Sequence, residues 1–137
     1  MVAPKVSGRL AALRSVPLFE HLPDKALRRI LKLAGELEAA RGQVLVQPRT
    51  AGSGLFVVEE GQVVVETPKQ RFELGPGEFF GELSLLTDRE RSARVRALSD
   101  VKCLCISRAD FSSMLHTEPE LAVSMLQILA HRIIDRN

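Results

Sequence analysis

The sequence predicts an α+β domain in which helices at both ends flank an antiparallel β block. Three observations lead to this prediction. Apolar residues recur at helical spacing near both termini, short β-rich segments separated by turn residues fill the middle, and the 137 residues match the size of one ordinary domain. Many short strands at close spacing are typical of a sandwich, a roll or a barrel rather than of a parallel sheet.

Two short helices are predicted before the strands. The first covers residues 6–13, and an apolar connection bounded by Pro17 and Pro23 follows it. Asp24 is of a type that caps helix N-termini and Gly35 of a type that ends helices, so the second helix is expected between them. The apolar face expected for this helix comprises Leu27, Ile30, Leu31 and Ala34.

The β block and the closing helices come next. Strands are predicted at residues 44–46, 55–58, 63–65, 72–74, 94–97 and 101–107. Turn signals such as Glu60-Gly61 separate them. Helices are predicted at 110–115 and 119–134. An apolar stripe along the second of these helices comprises Leu121, Met125, Ile128, Leu129 and Ile133.

The composition excludes several classes of function. Hydrophobic residues make up 45% and charged residues 26%, as in globular rather than disordered proteins. The net charge of +2 is too even to indicate nucleic acid or an anionic membrane as the main partner, and Tyr and Trp are absent. No secretory signal and no stretch of about 20 apolar residues is visible. We therefore expect a cytoplasmic domain, or the cytoplasmic part of a membrane protein, that itself contacts neither nucleic acid nor membrane.

The sequence indicates neither a metal site nor a catalytic group. Cys103 and Cys105 would face the same side of a strand, which favours core residues of an intracellular protein over a disulfide or a zinc site. The three histidines are scattered, and the serines lack nucleophile-elbow spacing. We therefore expect that the chain is not an enzyme and has no catalytic residue, no metal and no cofactor.

The informative segment begins at a glycine inside the β block. Gly81 permits close backbone approach, and a short helix beginning after it would point free amides at an anion. Arg91 supplies a fork of donors that matches a phosphate. Glu82 accepts hydrogen bonds and suits a hydroxyl such as a ribose 2′-OH. One acceptor for a sugar and one cation with amides for a phosphate together predict a nucleotide site.

The stretch FGELSLLTDRERSARVRA, residues 80–97, resembles the phosphate-binding cassette of the cyclic-nucleotide-binding domain family. That cassette runs Phe-Gly-Glu-Leu-Ala-Leu, then a short variable loop, then Arg-Ala-Ala-Thr. The chain matches its first four places from Phe80 onward, and Arg91 follows Glu82 by nine positions, as the pattern requires. Ser92 and Ala93 fit the next two places. The segments PLFEHLP, RGQVLV, GLFVVEEGQVVV and LGPGEFFGE also resemble family segments, in family order.

The resemblance implies an eight-stranded antiparallel β-roll, jelly-roll-like, with N-terminal helices and a C-terminal lid helix. Within a single domain we expect a helical segment at 1–35, the roll at 36–107 with its cassette at 79–94, and closing helices at 108–137. The expected ligand is cAMP, with cGMP as the other candidate. Glu82 would bind the ribose 2′-OH and Arg91 the cyclic phosphate. The ligand-binding residues that the resemblance implies are Gly81, Glu82, Leu83, Ser84, Arg91, Ser92 and Ala93.

Two departures from the family pattern bear on the site. Arg94 stands where the family usually has Thr, and because a Thr there is associated with contacts to guanine, we expect cAMP to be preferred over cGMP. Arg94 is a further candidate for the site as a second cation, and Ile133 is another, on the expected lid helix. The turn before the third strand keeps Gly52 but lacks the first Gly and the Asp of the family's turn, which bears on the rigidity of the pocket.

These features predict a regulatory module that switches an attached effector, such as an ion channel, through its C-terminal helix. The same helix offers a surface for homo-oligomerisation. Two alternatives remain open. One is a degenerate domain of the same fold that binds no ligand and serves in docking. The other is the sensor fragment of a transcription regulator that lacks its DNA-binding domain.

Overall fold

The computed structural model describes residues 6–46, 54–82 and 93–136, which form helices, then strands, then helices. The helices that precede the strands are α1 (Val6–Arg14), a 3-10 turn (Pro17–Phe19) and α2 (Asp24–Leu33). The strands are β1 (Gly35–Ala39), β2 (Val44–Val46), β3 (Gly54–Glu60), β4 (Val63–Glu66), β5 (Arg71–Leu74), β6 (Phe79–Phe80), β7 (Arg94–Ala97) and β8 (Val101–Ser107). Two helices close the chain, α3 (Arg108–Thr117) and α4 (Pro119–Arg136). The chain divides into a helical unit, Met1–Leu33 with Ser112–Asn137, and a β unit, Ala34–Phe111.

The β unit consists of two four-stranded antiparallel sheets. One sheet has the strand order β1-β8-β3-β6, and the other has the order β2-β7-β4-β5. The eight described strands and the helices on either side of them in sequence confirm the predicted α+β class and the jelly-roll-like roll.

Alternating side chains from both sheets form the core of the β unit. Val63 and Val65 of β4 and Val95 and Ala97 of β7 point inward, because successive residues of a strand face opposite sides. Cys103 joins them from the other sheet. The remaining buried members of this core are Ala39, Val46, Val58, Leu74, Phe80 and Val101. Burial of these apolar surfaces is the main stabilising contribution to the unit.

The predicted strands 44–46, 94–97 and 101–107 coincide with the observed ones, and 55–58, 63–65 and 72–74 differ by one or two residues at their ends. Two described strands, β1 and β6, are additional. The second helix was expected between Asp24 and Gly35, and α2 does end there, at Leu33. Ala34, expected on its apolar face, lies outside the helix, and Gly35 pairs with Cys105 as the first residue of β1.

In the helical unit, polar contacts join segments that are distant in sequence. The Arg14 guanidinium forms an ion pair with Asp24 and donates to the Leu22 carbonyl oxygen over 3.1 Å. Asp24, expected as a cap, is the first helical residue and directs its carboxylate to Arg14. Arg29 of α2 donates to the Ser113 hydroxyl of α3 over 3.1 Å. The apolar interior of this unit includes Leu18, Phe19, Leu27, Ile30, Leu121 and Met125.

Candidate functional site

A two-residue edge strand leads into the predicted site. β6 lies at the end of its sheet and pairs with β3, Val57 opposite Phe79 and Phe56 opposite Phe80. Two backbone hydrogen bonds precede it: the Gly77 amide donates to the Val58 oxygen over 2.8 Å, and the Val58 amide donates to the Glu78 oxygen over 2.9 Å. Pairing with β3 therefore fixes the position of the strand that leads into the predicted site.

Gly81 turns the chain out of β6 in a conformation that suits glycine. Its φ of +94° lies in the left-handed region, where a side chain would cost roughly 1–2 kcal/mol. Glu82 follows as a helical residue, so the direction changes abruptly between the strand and the carboxylate. From the sequence, Gly81 was expected to permit close approach of the backbone to a ligand. In the structure, the left-handed turn at this position is itself a reason for a glycine.

Glu82 is a buried carboxylate. Its side chain is 7% exposed, and among the described residues only Ser124 is a further buried polar side chain. Burying a carboxylate is costly unless it is hydrogen-bonded or paired, and Glu82 does interact with its surroundings. A hydroxyl donor is chemically suited to a carboxylate at the edge of an apolar core.

Two aromatic rings stack on each other near Glu82 in the chain, one of them that of Phe80, two residues before it. The rings of Phe56 and Phe80 are nearly parallel, with an interplanar angle of 9° and a centroid separation of 5.0 Å. Phe80 is 4% exposed, while Phe56 is half-buried against the same core. Sequence analysis does not identify this pair, because the two residues become neighbours only through the β3–β6 register.

The next described residue after Glu82 is Ala93, which packs against the core, and β7 begins at Arg94. Arg94 points away from the core, on the side of the sheet opposite to Val95. Its guanidinium lies 3.5 Å from the Glu66 carboxylate. Phe80, just before Gly81, and Ala93 therefore contact one core, whereas Arg94 belongs to the outer face of the sheet.

An ion-pair network surrounds Glu66 on that outer face. Arg96 donates to the Glu66 carboxylate over 3.3 Å, and Arg71 stands opposite Glu66 in the strand register. Partial desolvation acts to raise the pKa of Glu66. The hydrogen bond from Arg96 and the charges of Arg94, Arg96 and Arg71 outweigh it and hold the pKa below its ordinary value. Arg94 thus has a structural partner within the sheet.

The predicted site residues fall in different parts of the chain. Four of them lie outside the described residues: Leu83, Ser84, Arg91 and Ser92. Ile133 lies on α4 in the helical unit and is 63% exposed. The site residues that the structure does describe in the β unit are therefore Gly81, Glu82, Ala93 and Arg94.

The two thiols are free, as predicted for core cysteines. Burial raises the pKa of Cys103 to about 12, with further contributions from Cys105 and Glu59. Burial and the Glu59 carboxylate raise the pKa of Cys105 to about 11. Because the thiolate is the reactive and metal-binding form, both side chains are poor nucleophiles at neutral pH.

An acidic groove of about 410 Å³ opens at another place in the β unit. Glu38, Glu60, Asp100 and Lys102 line it, and none of these residues belongs to the 79–94 segment. Within residues 6–46, 54–82 and 93–136, no group of three or more His, Cys, Asp or Glu side chains is arranged to hold a metal ion. The described helices also include none that is long and apolar enough to cross a membrane.

Comparison with known families decides the identity of this arrangement. The model of the cyclic nucleotide-binding domain matches residues 36–118, which include every described strand except the first residue of β1. The chain belongs to the cyclic nucleotide-binding domain family. Domains of this family are regulatory rather than catalytic, and the residues that match include the buried Glu82.

Relatives of this domain are parts of longer proteins. The chain is 34% identical over 118 residues to a cyclic nucleotide-gated potassium channel from Rhizobium etli, covering 86% of the chain and 33% of the channel. It is 33% identical over 117 residues to human cGMP-dependent protein kinase 2, covering 80% of the chain and 15% of the kinase. The crystal structure of Thermus thermophilus catabolite activator protein superimposes with a TM-score of 0.76 at 30% identity, covering 88% of this chain and 59% of that one. The chain thus spans a third or less of the two relatives' length.

Proposed function

We propose that this domain binds a cyclic nucleotide through the 79–94 segment and prefers cAMP. Glu82 accepts a hydrogen bond from the ribose 2′-OH, and Arg91 binds the cyclic phosphate. The observation that carries the proposal is the buried Glu82 carboxylate, held directly after a left-handed glycine at the end of an edge strand. An ionised carboxylate only accepts hydrogen bonds, so at this place it suits a ligand hydroxyl.

The proposed preference for cAMP depends on Arg94, which stands where the family usually has Thr. Arg94 directs its guanidinium to Glu66 on the outer face of the sheet and supplies no hydroxyl to a base. The human relative is a cGMP-dependent kinase, so cGMP is the informative competitor.

The domain acts on an attached effector through α4. This helix has 18 residues, and its apolar residues include Leu126, 68% exposed, and Ile133, 63% exposed. Exposed apolar side chains on one helix mark a surface that is covered in another state or by another molecule. Ligand binding would change the packing of α4 and thereby the state of the effector. An ion channel is our preferred effector, since the Rhizobium etli relative is a gated potassium channel.

A second effector class has its own support. The solved N-terminal domain of a transcriptional regulator from Streptomyces coelicolor is 34% identical to this chain, which favours the sensor part of a transcription regulator. Ligand binding would be the same in both cases, and the chemistry of the attached domain would differ. In either case we propose a cytoplasmic, non-catalytic module, consistent with its free thiols.

We also propose that α4 pairs with a second copy of the chain. Val123, Leu126, Ala130 and Ile133 recur with the alternating three- and four-residue spacing of a coiled-coil seam. Val123 is 46% exposed, and Ala130 is also exposed. A seam of this kind, presented to solvent over three helical turns, fits the same seam on an identical helix.

Calorimetric titration of the domain with cAMP and cGMP tests the proposed ligand. We expect micromolar or tighter binding of cAMP and weaker binding of cGMP. Arg91→Ala should weaken cAMP binding by at least about a hundredfold, because it removes two charge-assisted hydrogen bonds of about 1.5–3 kcal/mol each. Arg28→Ala is the control, since Arg28 is an exposed arginine of α2 outside the cassette.

The docking alternative makes the opposite prediction for the same titration. No heat and no thermal shift with either nucleotide would contradict the proposed ligand and leave a docking fold. Tighter binding of cGMP would overturn the base preference but keep the site. Equal loss in the Arg91 and Arg28 variants would show that Arg91 has no specific role.

A further inference from the structure

Phe56 occupies a bridging position in the sheet that carries the site. It faces Phe80 of β6 on one side and Cys105 of β8 on the other. Its ring stacks on that of Phe80 with a centroid separation of 5.0 Å and an interplanar angle of 9°. Phe56 is half-buried, whereas Phe80 is 4% exposed. Parallel aromatic rings at this distance attract each other beyond the effect of burial alone.

The strand that Phe80 ends is short and lies at the edge of its sheet. β6 has two residues, and β3 is its neighbour in the described sheet. The hydrogen bonds between Val58 and the 77–78 backbone hold the beginning of this strand. At its other end, toward Gly81, the stack of Phe80 on Phe56 joins a side chain of β6 to one of β3.

Glu82 lies two residues beyond that stack. Gly81 lies between Phe80 and Glu82 and has a left-handed backbone conformation, which glycine adopts readily. The direction of the backbone at Gly81 therefore depends on how the two neighbouring residues are held. A hydrogen bond weakens steeply when its distance and angle depart from the optimum. A small displacement of Phe80 would therefore move the Glu82 carboxylate out of range of a ribose hydroxyl.

We propose that Phe56 is a positioning residue for the ligand site: its stack on Phe80 sets the place of the Glu82 carboxylate and so determines recognition of the ribose 2′-OH. The inference rests on the proposed function and extends it from the cassette to a residue of β3. Phe56 acts through Phe80 and Glu82 rather than on the phosphate. Its removal should therefore affect one specific hydrogen bond of the ligand.

The test compares cAMP with 2′-deoxy-cAMP by calorimetric titration. The wild-type domain should prefer cAMP by about 10- to 100-fold, the range expected for one hydrogen bond to a carboxylate. Phe56→Leu should reduce this preference at least about threefold, since a misplaced acceptor loses much of such a bond. Affinity for the deoxy ligand should change little in this variant. Glu82→Gln should reduce the preference further, and adding Phe56→Leu to it should then have little additional effect.

Two control variants separate positioning from general packing. Phe72→Leu changes another half-buried phenylalanine that packs on the same core but lies on β5, in the other sheet. It should leave the preference for cAMP intact. Phe56→Tyr keeps the stacked ring and should also retain the preference. If Phe56→Leu does not fold, Phe56→Met takes its place, since the unbranched Met side chain adapts better to an irregular space, with folding checked by thermal denaturation.

The outcomes distinguish this inference from the function on which it rests. A wild-type domain that binds neither ligand overturns the proposed function, and the role of Phe56 with it. A wild-type domain that prefers cAMP, with Phe56→Leu and Phe72→Leu indistinguishable, overturns the role of Phe56 and leaves the proposed function standing. Loss of preference in Phe56→Leu alone, with retention in Phe56→Tyr, supports the inference.

Discussion

Two turn glycines share a backbone conformation but differ in their surroundings. Gly42 has a φ of +89° and Gly61 a φ of +88°, so each occupies the left-handed region. A Cβ at Gly42 would meet nothing within 4 Å, whereas one at Gly61 would lie 2.2 Å from the carbonyl oxygen of Asp100. Comparing substitutions at Gly42 and Gly61 therefore separates two costs: that of the left-handed backbone conformation and that of a steric clash between the added Cβ and the Asp100 backbone.

We expect Gly42→Ala to lower the free energy of unfolding by about 1–2 kcal/mol, the cost of a left-handed alanine. Gly61→Ala should lower it by at least about 1 kcal/mol more, because the Asp100 backbone must also move. Urea denaturation of both variants measures the difference. Equal losses would show that the β7–β8 turn yields to the added methyl group without cost.

At the scale of the element, the second sheet carries a charged outer face over an apolar inner one. Glu66 of β4 contacts Arg94 and Arg96 of β7, so a cross-strand network joins the two strands. Opposite charges placed across a strand pair stabilise that register. Because the pKa of Glu66 is lowered in the folded state, its stabilising effect is present above the pKa of the unfolded chain. It is lost as the pH falls through the folded-state pKa.

Glu66→Gln tests this network. The variant should be less stable than the wild type at pH 7, and the difference should shrink as the pH falls below about 4.5 because the wild-type carboxylate then becomes protonated. Urea midpoints measured from pH 7 to pH 3 provide the comparison. Glu73→Gln is the matched control on β5, since Glu73 stands opposite Val64 rather than an arginine. A pH-independent difference for Glu66→Gln would contradict the electrostatic explanation.

At the scale of the whole molecule, self-association through α4 is the feature to measure. Sedimentation velocity over a range of concentrations should show a dimer. Leu126→Glu should weaken the dimer by more than about tenfold, since burying an unpaired charge in an apolar seam is strongly unfavourable. His131→Glu, at an exposed position of α4 outside this seam, should leave it unchanged. A monomer at every concentration would exclude a second copy as the partner of this face.

The sequence predicted much of the β unit because its signals there are local. Strands 94–97 and 101–107 were correct to the residue, since alternation and turn residues bound them. β1 and β6 were not predicted as strands, for two different reasons. In β1, Glu36 and Glu38 present charge to solvent and obscure a strand that pairing with β8 creates. β6 has two residues, too few for a period to appear.

By itself, the sequence determined the fold class. It also predicts the chemistry of the candidate site, because Gly81, Glu82 and Arg91 have their backbone freedom, charges and spacing wherever the chain places them. Only the tertiary structure decided that Phe56 stacks on Phe80, that Arg94 faces Glu66, and which side of α4 stays exposed. The reason is physical. Propensity and periodicity are properties of neighbouring residues, whereas strand register and burial depend on contacts between segments far apart in the chain.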